Sequence, residues 1–324
     1  MSLVKLATGR YQLKMTCQQD LGTIRPSLSA WRGAFGHGLK KLVCVVSQVE
    51  CPKCFLQSSC LYSNTFEPRP DPQKKLMSLY TRIPTPYALF QERAAPEGKS
   101  IRLLLTLFGE VNAHLPHLLM AFDRAGHSGV GQGRKRFFLE EASEERSLGR
   151  EDFGLFYTKK DQLTQRETSR AWPSPPPPPR EGDVIIDFLS PIRMRFAEDL
   201  VTPSSFTFGI FFRNIMRRLS LLVAFYGQSP LGMDFRGLME CADKVSLGES
   251  HLSWEEWTRF SSRQNVSMQM GGVGGGMILR AQDLAPFWEI LWWGQWTGVG
   301  KGTTMGNGFY RIRGANDQGR ENRT

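Results

Sequence analysis

A run of five prolines, Pro175–Pro179, splits the chain into two halves that spell the same order of elements, and this duplication constrains the fold more than any single motif. Before the run, a strand-like Tyr11–Cys17 leads to an amphipathic segment from Leu28. Extended runs at Tyr87–Gln91 and Ile101–Phe108, a helical pattern over Val111–Ala125 and a glycine-rich turn Gly126–Gly133 precede a last strand at Phe137–Leu139. After the run come a strand at Val184–Phe188, a helical pattern over Phe206–Tyr226 and a strand pair around the glycines of 271–276. A helix over Leu284–Trp293 and the turn Gly298–Gly308 then lead into Phe309–Ile312. Each half reads β-α-β-β-α with a glycine loop before a last strand, which predicts an α+β chain of two tandem ferredoxin-like domains.

Between Glu140 and Asp183 the composition turns charged and polar, and the proline run that ends it is a stiff, extended spacer. The predicted divisions are an N-terminal domain over 1–142, a linker over 143–182, a C-terminal domain over 183–314 and a polar tail over 315–324. A chain of 324 residues suits this, because single cores stop growing at roughly 250 to 300 residues. The net charge of +10 favours a polyanionic partner, nucleic acid or an anionic membrane surface. The longest apolar stretches, Leu219–Tyr226 and Ile290–Trp293, fall far short of the ~20 residues that cross a bilayer. With no signal segment to read in Met1–Met15, the expectation is a cytoplasmic protein with reduced cysteines and no membrane partner.

Leu28, Trp31, Phe35, Leu39 and Leu42 recur at helical spacing and define a face turned into a core. His37 lies about 200° round the helix from Phe35, with Lys40 and Lys41 at i+3 and i+4. An imidazole that takes a proton near neutral pH beside a fixed positive charge is the minimum equipment for cleaving RNA without a metal. The helix runs straight into Cys44, Cys51, Cys54 and Cys60, a cluster with the donor count of a structural zinc site; an iron–sulfur cluster is the alternative. No Asp, Glu and His set reads as a catalytic two-metal site.

Glycine loops can cradle phosphodiesters with backbone N–H groups. Gly298–Gly308 is not a P-loop, since Lys301 is followed by Gly302 instead of Ser or Thr, but Gly300, Lys301, Thr303 and Thr304 are phosphate-facing candidates. In the other half His127, Arg134, Lys135 and Arg136 occupy or follow the first loop. Arg32, Arg259 and Arg263 extend the basic set, and Tyr310 could stack an unpaired base.

The motifs Arg32-Gly-Ala-Phe-Gly36, Cys54-x5-Cys60-x-Tyr62-x3-Phe66-Glu67, Trp254-x2-Trp257-x-Arg259-x-Ser261-x-Arg263-Gln264 and Gly298-x-Gly-Lys-x-Thr-Thr-x-Gly306-x-Gly308 give the chain its resemblance to a known group. It resembles the CRISPR-associated endoribonucleases that process precursor crRNA, within the repeat-associated mysterious protein (RAMP) superfamily. The resemblance implies two ferredoxin-like folds gripping a repeat-derived RNA. It also implies cleavage without a metal cofactor to a 2′,3′-cyclic phosphate, and a catalytic histidine in or near the first helix, a description that only His37 meets here. In that role Lys40 or Lys41 steadies the phosphorane. The implied partners are CRISPR repeat RNA, mature crRNA and other effector subunits. The alternative is a RAMP subunit that holds crRNA without cutting it, which the same fold would serve.

Overall fold

The computed structural model describes residues 3–19, 21, 26–69, 83–91, 98–163, 173–261 and 266–314. They divide into two compact units, Lys5–Pro173 with Leu221–Gln228, and the remaining described residues.

The first unit runs β1 (Thr8–Cys17), α1 (Leu28–Val43), α2 (Leu61–Phe66), β2 (Tyr87–Gln91), β3 (Ser100–Phe108), α3 (Leu115–His127), β4 (Phe137–Glu145), β5 (Phe153–Thr158) and β6 (Gln162–Leu163). Its antiparallel sheet has the order β2-β3-β1-β4-β5-β6, so the first four strands form a ferredoxin-like sheet that two more extend. The period-2 pattern of β1 buries Tyr11, Leu13, Met15 and Cys17 on one face, where they join Trp31, Phe35 and Leu39 of α1 and Leu118 and Phe122 of α3 in one core. The helix expected from Val111 divides at a proline: Gly109–His114 is a 3-10 turn, and α3 begins at Leu115 with Pro116 in its first turn.

The expected linker over 143–182 is sheet in its first part. β4 continues to Glu145, and β5 pairs with it from Glu141↔Thr158 to Glu145↔Phe153. The turn between them is built around a buried carboxylate. Glu145 is 7% exposed; one oxygen meets Arg10 Nη1 at 3.0 Å, and the other accepts from the backbone N–H groups of Gly149 and Glu151 at 3.0 and 2.7 Å. The Arg10 guanidinium also lies 5.6 Å from the centre of the Phe153 ring.

The second unit contains β7 (Asp183–Phe188), β8 (Arg195–Phe196), β9 (Asp199–Leu200), α4 (Phe208–Tyr226), α5 (Phe235–Ala242), β10 (His251–Glu255), β11 (Thr258–Ser261), β12 (Val266–Gln269), β13 (Gly272–Arg280), α6 (Trp288–Thr297) and β14 (Tyr310–Gly314), the last turns of α4 grouping with the first unit. Its main sheet has the order β10-β13-β7-β14, the same permutation as β2-β3-β1-β4, and every pairing is antiparallel. The duplication read from the sequence is therefore a duplication of topology. The proline run is anchored within this unit where Trp288 Nε1 donates to the Pro176 carbonyl at 2.7 Å. Phe188, Phe211, Phe212, Phe287 and Trp293 fill the core.

Candidate functional site

Helix α1 presents three faces with different jobs. Ser27 caps its start, accepting from the Ala30 N–H, and the Cys44 N–H closes its end on the Lys40 carbonyl. On the core face Phe35 stacks on Phe122 at 4.0 Å between centroids and Trp31 meets Phe137 edge-on at 5.1 Å. Gly38 lets α1 touch α3, because a Cβ there would sit 2.5 Å from the Ala121 carbonyl oxygen.

The second face, Arg32, Gly36 and Lys40 at intervals of four, receives α2. The rings of Tyr62 and Phe66 stack at 5.4 Å, Arg32 lies 5.3 Å over Phe66 and Lys40 lies 5.4 Å over Tyr62. A Cβ on Gly36 would come 2.8 Å from the Phe66 ring. Arg32 and Lys40, expected at RNA and at the phosphorane, are thus committed to helix packing. Burial lowers the Lys40 pKa, but neighbouring Cys51, Tyr62 and Cys44 outweigh it and raise the ammonium above its ordinary value.

The third face carries Gly33, His37 and Lys41, again four apart, and all three are exposed. Among the described residues His37 makes no hydrogen bond or ion pair, so its imidazole is free to take a proton from a ligand. Lys41 follows one helical turn on, exposed on the same face.

The first glycine loop adjoins the start of this helix. Gly129, Gly131 and Gly133 take φ values of +88°, +73° and +76°, which side chains resist, and Gly131 faces Pro26 just ahead of the α1 cap. Arg134 and Arg136 are exposed there, although an Arg134 nitrogen also donates to the Ser128 carbonyl at 3.1 Å. Lys135, expected at RNA, points inward and donates to the Leu21 carbonyl at 2.9 Å. His127 Nε2 sits 3.3 Å from Asp123 Oδ2 at the end of α3, exposed but already paired. His114 and His117 are exposed on or just ahead of α3, and His251 is exposed on β10.

In the second unit the loop before β14 is held by its own backbone. The Lys301 N–H donates to the Arg193 carbonyl, the Val299 N–H to Gly308 and the Gly308 N–H to Pro191. A Cβ on Gly300 would lie 2.2 Å from the Arg193 carbonyl oxygen, so that glycine serves the turn. Lys301 is exposed and Thr304 half-buried, whereas Thr303 is buried against Gly298. Tyr310 cannot stack a base: it is 2% exposed, it donates to the Leu291 carbonyl at 2.6 Å, and burial holds its phenol well above the ordinary tyrosine range. Arg259 lies on β11, but its side chain, like all of Arg263, falls outside the described residues.

The four clustered cysteines occupy element ends: Cys44 follows α1, Cys51 opens a 3-10 turn, Cys54 closes it and Cys60 precedes α2. All are half-buried free thiols, and among the described residues no three His, Cys, Asp or Glu side chains are arranged to hold a metal. The donor set suits zinc chemically, but the geometry does not gather it.

Residues 6–168 match a family model described only as an N-terminal domain, and residues 186–310 match the model of the CRISPR-associated endoribonuclease Cas6. The second match identifies residues 186–310 as a Cas6 domain. Solved structures agree with the fold. One Cas6 product complex superposes with a TM-score of 0.56 at 14% identity, covering 94% of this chain and 99% of that one. A second Cas6 product complex gives 0.50 at 16% identity over 95% and 99%. A partial Cas6-RT-Cas1–Cas2 complex gives 0.50 at 12% identity over 97% of this chain and 48% of that one. At these identities the likeness to the Cas6 structures is one of fold. No curated protein matches the chain. No described helix is long and apolar enough to cross a membrane.

Proposed function

We propose that this chain, with its Cas6 domain, cuts CRISPR repeat RNA to mature crRNA, with His37 as the general base and without a metal ion in the chemical step. The observation that carries this reading is the exposed, unpartnered imidazole of His37 on a helix whose other faces are filled by packing. His37 takes the proton of a ribose 2′-hydroxyl, and the 2′-oxygen attacks the adjacent phosphorus. The bond to the 5′-oxygen of the next nucleotide breaks, and that oxygen takes up a proton as it leaves. The products are a 2′,3′-cyclic phosphate and a 5′-hydroxyl. Lys41 stabilises the negative charge that builds on the phosphorane oxygens. Exposed Arg134 and Arg136, in the same unit as His37, hold the backbone of the RNA; such contacts position it without reading its sequence.

The similar structures support the partners, since two are product complexes of Cas6 and one is an assembly of Cas6 with Cas1 and Cas2. A subunit that only holds crRNA would have no use for a free imidazole beside Lys41. The test is incubation of the purified protein with end-labelled repeat RNA in EDTA, followed by analysis of the product ends. The expected result is a single cut that leaves a cyclic phosphate and a 5′-hydroxyl. Products with a 3′-hydroxyl, or cleavage only after a divalent ion is added back, would refute the mechanism.

A further inference from the structure

Gly33, within the motif Arg32-Gly-Ala-Phe-Gly36, is the glycine of α1 that packing does not explain. Glycine is the least favourable interior helix residue after proline, so a glycine in mid-helix needs a reason. Gly36 has one in the Phe66 ring and Gly38 has one in the α3 backbone. Gly33 is exposed, and a Cβ built on it meets no heavy atom within 4 Å. It stands one helical turn before His37 on the same face, at i−4, and Lys41 stands one turn beyond. The three residues make a strip with a bare floor at one end, an imidazole in the middle and an ammonium at the other. The bare end lies toward Pro26 and the glycine loop that Gly131 brings against it.

We propose that Gly33 is a positioning residue: its missing side chain leaves the space in which the ribose-phosphate backbone of the RNA lies against α1, so that the 2′-hydroxyl comes within reach of His37. A side chain projects toward the N-terminal end of its helix and covers the turn before its own Cα, so any residue at 33 would stand over this approach. The inference rests on the assignment of His37 as the base. Leucine at this position fills the space and displaces the RNA from the imidazole, and a misplacement of about 1 Å costs on the order of 10²-fold in rate.

The two substitutions that test it move stability and activity in opposite directions. Gly33→Ala removes the helix penalty of glycine at a position with room for a methyl group, and should raise the melting temperature by about 2–4 °C. Its single-turnover cleavage of repeat RNA should nevertheless fall. Gly33→Leu should keep the far-UV spectrum and a melting temperature at or above that of the parent, while its cleavage rate falls by about 10²-fold. A residue that merely supported the fold would lose activity and stability together. Cleavage by Gly33→Leu at the parent rate, with His37→Ala inactive in the same assay, would overturn the inference and leave the base assignment standing. Cleavage by His37→Ala at the parent rate would instead remove the assignment on which the inference rests. If Gly33→Leu does not fold, Gly33→Ala decides alone: a more stable protein with slower cleavage supports the proposal, and unchanged cleavage overturns it.

Discussion

Replacing His37 by alanine should slow single-turnover cleavage of repeat RNA by about 10²- to 10⁴-fold, the usual contribution of one positioned general base, while RNA affinity stays at the parent value. The expectation of a clean separation comes from the surroundings of the imidazole. His37 is exposed and has no hydrogen-bond partner among the described residues, so its loss removes no packing and orphans no buried group. Surface substitutions of that kind usually move stability by less than about 0.5 kcal/mol. On the proposed reading RNA affinity comes from exposed cations such as Arg134 and Arg136, and is sequence-independent to the extent that phosphate contacts carry it. A filter-binding titration alongside the rate measurement separates the two. Unchanged cleavage in His37→Ala would move the base to another histidine; His127 is the next to test, although its pairing with Asp123 makes it less available.

The largest expected effect on stability lies away from the site. Glu145→Ala should destabilise the first unit by about 3–5 kcal/mol, because it breaks a largely buried ion pair instead of a surface one. The Glu145 side chain is fully buried and that of Arg10 is 10% exposed, so water offers little compensation. The same substitution takes the acceptor from two backbone N–H groups that close the turn from β4 into β5. Glu145→Gln keeps an oxygen for those donors but loses the charge that faces Arg10, and should fall between the parent and the alanine variant. Urea unfolding followed by a probe in the first unit measures the difference. A change below about 1 kcal/mol for Glu145→Ala would mean that the carboxylate organises nothing beyond itself.

These residues also show where a sequence is legible. The apolar positions of α1 were readable because a core-facing stripe must recur at the helical period: Trp31, Phe35 and Leu39 are fully buried, and Leu28 and Leu42, at the ends, are half-buried. The doubled topology was readable because each half carries its own strands, helices and glycine turn in the same order. Phe153–Thr158 was not, since six strand-forming residues between a polar turn and Lys159-Lys160-Asp161 are lost in the charged composition around them. Side-chain direction was harder still. Nothing in the residue types says that Lys135 turns inward to a carbonyl, that Arg32 and Lys40 cover the rings of α2, or that Tyr310 is sealed in the core. Each depends on a partner distant in sequence, and the sequence pattern records burial periodicity but not which neighbour a cation meets. Four cysteines within 17 residues gave the donors of a metal site but not their convergence. Gly33 did leave a signal: a glycine in mid-helix on the polar side is a departure from local preference, and such departures mark strained or functional positions.

The account turns on the 2′-hydroxyl as the nucleophile that His37 activates. The direct measurement uses repeat RNA with a single 2′-deoxy nucleotide on the 5′ side of the scissile phosphate, compared with all-ribose RNA in both binding and cleavage. The expected result is unchanged affinity and no cut at that phosphate. Cleavage of the deoxy substrate at the same position would contradict it, because no internal nucleophile would then remain for His37 to serve.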